Sequence, residues 1–145
     1  MRDFFLRRAR QYDLDPVIEL LVASKLPTDG VPEAISNFVV AEGSKGIVGA
    51  VGLEVYGRYG LLRSAVVASA WQGYGVGRAL VGEILSQARI RAIDTLFLLT
   101  TTAENYFPSF GFVRIDRDEV PAELNESAEL RGACPSSATV MRLEL

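Results

Sequence analysis

The sequence predicts a mixed α/β (α+β) fold on a central sheet of about six or seven strands. Three observations carry that reading. Three apolar, strand-like segments follow one another with only glycine-containing turns between them, the pattern of an antiparallel meander. The last of these runs into a glycine-rich loop and an amphipathic helix. A five-residue apolar strand follows that helix, and the crossover makes it parallel to the strand before the loop. The resulting order is neither all-β nor a simple βαβ repeat.

The elements follow in chain order. Residues 4–9 read as a first strand. Asp13 is placed to N-cap a helix over 16–25, with Pro16 early in it and Val17, Leu20, Leu21 and Leu26 as its apolar residues. Pro27-Thr28-Asp29-Gly30 is a turn signal, and a short helical piece over 32–35 follows. The meander comprises strands over 37–42, 46–56 and 61–68, separated by Gly43-Ser44-Lys45-Gly46 and Gly57-Arg58-Tyr59-Gly60. The third strand is apolar apart from Arg63 and Ser64. Leu80, Val81, Ile84, Leu85 and Ala88 recur at helical spacing, which predicts a helix over 76–91. A strand over 95–99, a helix over 103–110 stopped by Gly111, and a strand over 112–115 come next. One or two short helices over 118–129 and a closing strand over 138–143 complete the chain.

Composition narrows the chemistry. A chain of 145 residues with 49% hydrophobic and 23% charged residues is expected to form one domain over 1–145. A net charge of −3 argues against nucleic acid. The N-terminal residues lack a signal-peptide core, and no apolar run reaches the ~20 residues that span a bilayer. The default expectation is a cytoplasmic protein that engages no membrane. The single cysteine, Cys134, forms no intrachain disulfide or zinc cluster and reads as a small packed thiol. With no histidine, Ser-His-Asp, Cys-His and His-metal chemistry are absent, and no metal is expected. A general base must be Asp, Glu, Tyr, Lys or water.

The stretch Val66–Leu80 carries the clearest motif. Glycines at a strand-to-helix junction let backbone N–H groups approach an anion, and the helix N-terminus adds partial positive charge. A Walker A loop needs Gly-Lys-Ser/Thr where this chain has Gly77-Arg78-Ala79. A dinucleotide loop needs a third glycine where Arg78 stands, and an acid after the next strand, which ends Leu98-Leu99-Thr100. The pattern Q/R-x-x-G-x-G/A is met in full by Gln72-Gly73-Tyr74-Gly75-Val76-Gly77.

On this motif and the order of its elements, the chain resembles the GNAT superfamily of acetyl-CoA-dependent N-acetyltransferases over nearly its whole length. A second segment, Ala103 with Gly111-Phe112, fits the family pattern N-x-x-A-x-x-x-Y-x-x-x-G-F. Thr100 stands at its Asn and Phe107 at its Tyr. The family tyrosine usually protonates the departing thiolate, and Phe107 cannot; Tyr106 lies one residue away, and Ser109, a threonine or water are alternatives. Leu62-Arg63-Ser64, Leu98–Glu104, Phe110-Gly111-Phe112 and Cys134–Ala138 are similar to the small amino-acid acetyltransferases of arsenic-resistance operons and to the acetyltransferase domain of N-acetylglutamate synthase.

The resemblance implies a mixed GNAT sheet with helices on both faces and acetyl-CoA as donor. The phosphates would sit on amides from Gly73, Tyr74, Gly75, Val76, Gly77 and Arg78, beside Gln72. The pantetheine arm would pair with the backbone of Ala65, Val66 and Val67, and an amide near Val67 would polarise the thioester carbonyl. The acceptor would be the amino group of a small amino-acid-like metabolite; a peptide or protein N-terminus, or a non-catalytic acetyl-CoA sensor, are the alternatives. Glu54 is the candidate base, read equally as a solvated strand-end carboxylate. Arg63 could clamp a substrate carboxylate bidentately, pair with Glu54, or point outward. Ser64 and Thr101 or Thr102 are candidates for the acceptor pocket or ordinary strand and cap hydroxyls. The oligomeric state is open, with a homodimer as the common default.

Overall fold

The structure is a computed structural model that describes residues 2–145. Its strands are β1 (Phe5–Arg8), β2 (Phe38–Gly43), β3 (Gly46–Tyr56), β4 (Tyr59–Val67), β5 (Thr95–Thr100), β6 (Val113–Ile115) and β7 (Thr139–Glu144). They form one sheet in the order β1-β2-β3-β4-β5-β7-β6. Its α-helices are α1 (Leu14–Ala23), α2 (Val31–Ala34) and α3 (Val76–Ile90). The meander β2-β3-β4 is antiparallel, and β4 pairs with β5 in parallel across the α3 crossover.

Side-chain alternation divides the core between the two faces of the sheet. Val39, Ala41, Val51, Leu53 and Leu62 point to the face covered by Leu80, Val81, Ile84 and Leu85 of α3. Phe38, Val40, Ala50 and Val66 point to the other, where Val17 and Leu21 of α1 and Val31 of α2 pack. Helices therefore lie on both faces. Gly52 makes room for Phe38: a Cβ there would stand 2.4 Å from the ring.

Two local expectations change. Asp13 precedes α1 but makes no side-chain cap to it. Its carboxylate instead accepts from the Arg10 amide at 2.7 Å and from both Nη atoms of Arg7 at 2.8 and 2.9 Å. A charge-assisted fork outcompetes the neutral amides of the helix start. The expected helix over 103–110 is reduced to a 3₁₀ turn at Phe107–Phe110. Pro108 offers no N–H for an α-helical ladder, and Gly111 (φ +101) ends the turn. The short helices expected over 118–129 are 3₁₀ pieces at Arg117–Glu119 and Ala122–Glu126, followed by a wide turn at Glu129–Ala133.

Two features of β4 shape the site. Gly52 pairs with Arg63 but Ala50 with Val66, so Val51 faces both Ser64 and Ala65 across a β-bulge. Ser64 has φ +60, a left-handed conformation uncommon for serine. In addition, β4 pairs with β5 only at Tyr59–Leu61. Beyond Leu61 the two strands part, leaving one edge of β4 without a strand partner among the described residues.

Candidate active site

The gap between β4 and β5 opens into a cavity of about 1140 Å³. Leu62 to Val67 line one side, and Leu98 to Ala103 the other. One end is the glycine loop and the first turn of α3; the other reaches Lys25, Glu129 and Cys134.

At the loop end, Gly73 and Gly75 have φ +86 and +84, and a Cβ on either would meet nothing within 4 Å. Among the described residues, the backbone N–H groups from Gly73 to Arg78 donate to no backbone carbonyl, and no side chain caps the helix. The first backbone bond of α3 runs from the Ala79 amide to the Gly75 carbonyl, at 3.0 Å. Free amides at a helix N-terminus, on a loop that can approach a ligand without steric hindrance, form an anion cradle. Arg78 borders the cavity and lies over the Phe110 ring at 5.0 Å. The Arg2 guanidinium sits 5.2 Å from the Trp71 ring and 5.0 Å from the Tyr74 ring. These cations and amides suit a phosphate-bearing ligand.

At the far end lies a buried ionic cluster. The Arg63 side chain is 0% exposed. Its Nη1 donates to Glu54 Oε2 at 2.7 Å and its Nε to Ser64 Oγ at 2.9 Å. Its Nη2 has no hydrogen-bond partner among the described residues; Glu129 Oε2, at 3.6 Å, forms an ion pair beyond hydrogen-bond range. Tyr56 donates its hydroxyl to the other oxygen of Glu54. Burial, then the bond to Glu54, pushes the Tyr56 pKa up to about 12. Burial also raises the Glu129 carboxyl, with Arg63 opposing. Burial and Glu129 push the Cys134 thiol up to about 12, so it stays protonated and packed.

The cavity brings together most of the residues singled out from sequence. Ala65, Val66, Val67, Gln72, Gly73, Gly75, Val76, Gly77 and Arg78 border it, as do Arg63, Ser64 and Thr101. The Tyr74 side chain is instead half exposed, edge-on to Trp71. Glu54 is buried behind Arg63 and does not border the cavity, so the solvated strand-end reading does not apply. Arg63 pairs with Glu54 rather than pointing outward: Nε and Nη1 are each engaged once, and Nη2 has no hydrogen-bond partner among the described residues. Sequence reasoning missed Lys25, Glu129 and the orientation of Tyr106. All three border the cavity, and the Tyr106 hydroxyl lies 3.6 Å from a Cβ position on Gly77. Nothing local in 127–134 marks Glu129, because only tertiary packing brings it to Arg63.

Residues 34–114 match the acetyltransferase (GNAT) domain family. An amino-acid acetyltransferase of Mycobacterium tuberculosis is 34% identical over 130 residues, covering 82% of this chain and 74% of that one. An amino-acid acetyltransferase of Ralstonia nicotianae is 32% identical over 130 residues, 82% of this chain but only 28% of that protein's length. Among solved structures, a Mycobacterium tuberculosis protein in complex with CoA and NLQ superposes with a TM-score of 0.81 at 25% identity, covering 97% of this chain and 99% of that one. N-acetylglutamate synthase from Neisseria gonorrhoeae, complexed with coenzyme A and N-acetyl-glutamate, superposes with a TM-score of 0.84 at 22% identity, covering 99% of this chain and 35% of that one, a likeness of fold.

Proposed function

This chain belongs to the GNAT acetyltransferase family, and we propose that it acetylates the amino group of a small amino-acid-like metabolite. It is an acyltransferase, and its donor is acetyl-CoA. The observation that carries the acceptor assignment is the one cavity joining the free amides at Gly73–Arg78 to the buried cluster around Arg63 Nη2. A phosphate-bearing donor and a small charged acceptor fit opposite ends of it.

The donor's phosphates would rest on the amides of Gly73 to Arg78. The unpaired edge of β4 at Ala65–Val67 would hold its arm. When bound, acetyl-CoA supplies a thioester carbonyl carbon that a neutral amine attacks. The bulge at Ser64 re-aims the β4 backbone just before that edge, where an N–H can stabilise charge developing on the carbonyl oxygen. At the acceptor end, the two N–H groups of Arg63 Nη2 have no hydrogen-bond partner among the described residues and are free to donate to a carboxylate. Ser64 and Thr101 border the same space. Glu54 enters this reading as the carboxylate that holds Arg63 in place; a proton could reach it only by relay, since Arg63 and Tyr56 occupy both its oxygens. Tyr106 supplies the hydroxyl that Phe107 lacks, from the side of the cavity next to α3.

The test is release of CoA thiol with acetyl-CoA and the twenty common amino acids, with product mass read by mass spectrometry. Turnover with a subset of them, giving N-acetyl products, is expected. Tight CoA binding with only slow background release for every acceptor would overturn the reading and favour a sensor. Preference for peptides over free amino acids would move the acceptor to a polypeptide N-terminus.

A further inference from the structure

We propose that Glu129 is the group that receives the acceptor's ammonium and takes its proton, a catalytic residue contributed by the C-terminal segment rather than by the central strands. The inference rests on the acetyl-transfer reading above.

Position comes first. A base must reach the nitrogen it deprotonates. Of the two carboxylates beside Arg63, Glu129 borders the cavity and Glu54 does not. Glu129 is nevertheless 4% exposed, so a group that meets it does so away from bulk water.

Charge points the same way. Arg63 is one cation between two buried carboxylates, Glu54 and Glu129. It is committed to Glu54 at 2.7 Å, whereas Glu129 stands 3.6 Å from Nη2. The ionised cluster thus carries one excess negative charge in a desolvated place, which is costly unless a cation or a proton arrives. An ammonium answers that charge. A carboxylate on the same molecule would find Arg63 Nη2 beside it, so an α-amino acid would bridge the two.

The surroundings tune Glu129 for proton transfer. Burial raises its proton affinity, Glu54 on β3 raises it further, and Arg63 on β4 lowers it, as does the bond from the Cys134 thiol in its own segment. Lys25, beyond the end of α1, also borders the cavity. A carboxylate raised by burial is a better match to an ammonium of pKa ~10 than an exposed one.

The step balances. One proton moves from the R–NH3⁺ nitrogen to a Glu129 oxygen, leaving the nitrogen lone pair free. The C–N bond forms as the C–S bond breaks, and the electron pair of that bond stays on sulfur. The second proton lost by nitrogen goes to the thiolate sulfur, giving the thiol. The Glu129 carboxylic acid then returns its proton to solvent through the cavity.

The experiment compares wild type, Glu129→Gln and Glu129→Asp, using the best acceptor found among the twenty amino acids. With that acceptor saturating, kcat of the wild type should rise with pH through a limb set by Glu129, lying above the ordinary carboxylate range. Glu129→Gln is expected to lower kcat about 10²-fold, to abolish that limb and to leave KM for acetyl-CoA unchanged. Glu129→Asp should keep the limb at reduced kcat, and it answers the question if the Gln variant does not fold. Calorimetry with CoA present gives a second readout: Glu129→Gln should weaken the amino acid about tenfold and leave its desamino analogue unaffected. A Gln variant that keeps the limb overturns the proposal, whether kcat is normal or lowered by a structural defect. If the wild type turns over an amine and this result follows, Glu129 alone is rejected; if it turns over none, the acetyl-transfer reading falls and the role of Glu129 falls with it.

Discussion

Arg63 illustrates how a charged side chain can stand inside an apolar strand. Desolvating a guanidinium is costly unless partners replace its water, and here Glu54, Ser64 and Glu129 surround it. Two of its nitrogens are committed, and the third has no hydrogen-bond partner among the described residues. Tyr106 and Phe107 illustrate the opposite error of scale. The motif position falls on Phe107, which is buried edge-on against Phe112 and Tyr106. Both residues border the cavity, and the neighbouring Tyr106 brings it a hydroxyl. Tyr106→Phe is therefore expected to lower kcat roughly 10–100-fold with little change in KM for acetyl-CoA, as measured by steady-state kinetics. An unchanged kcat would leave thiolate protonation to water.

The elements are held by a mixture of packing and a few local ionic contacts. Arg7 on β1 reaches Asp13, ahead of α1, and Glu42 on β2. Asp13 is 2% exposed, and its bonds from Arg7 hold its pKa below the ordinary carboxylate value. A depressed pKa contributes stability above the unfolded value of about 4, lost as pH falls through the folded value. Asp13→Asn should therefore lower stability by about 2 kcal/mol at pH 7, and the difference from wild type should vanish in acid; thermal melts at pH 7 and below pH 3 check this. The glycine loop and α3 were legible in sequence because their conformations are set locally, by glycine at positive φ and by a helical apolar stripe. The expected helix over 103–110 was not, because an isolated short helix is marginal in water, and tertiary contacts decide its conformation.

At the scale of the whole molecule, the separation of β4 from β5 after Leu61 is what opens the cavity. Had the two strands paired to their ends, the β4 edge would be satisfied and no cavity would join the loop to Arg63. A ligand filling that cavity binds the folded state alone. CoA at about 100 times its Kd should then stabilise the protein by about 2.7 kcal/mol, seen as a rise in Tm of roughly 5–10 °C. Gly75→Val places a β-branched residue at φ +84 and should remove most of that rise, with a smaller loss of Tm without CoA. Differential scanning fluorimetry over a CoA titration measures both, and an undiminished shift in the variant would remove the loop from the binding site.

The amino-acid sequence by itself determined the order of strands and helices, the antiparallel meander, the parallel crossover and the glycine loop. Each depends on short-range regularities: alternation, helical spacing and glycine at turns. Tertiary structure alone decided which carboxylate meets the cavity. Glu54 and Arg63 are neighbours through strand pairing, but Glu129 arrives from 66 residues beyond Arg63, on a wide turn with no pattern of its own. Its contact with the cluster comes from how the C-terminal segment packs over the sheet face around Leu61, Phe97 and Leu124. Packing at that range depends on the shapes of both surfaces, which no local stretch of sequence encodes.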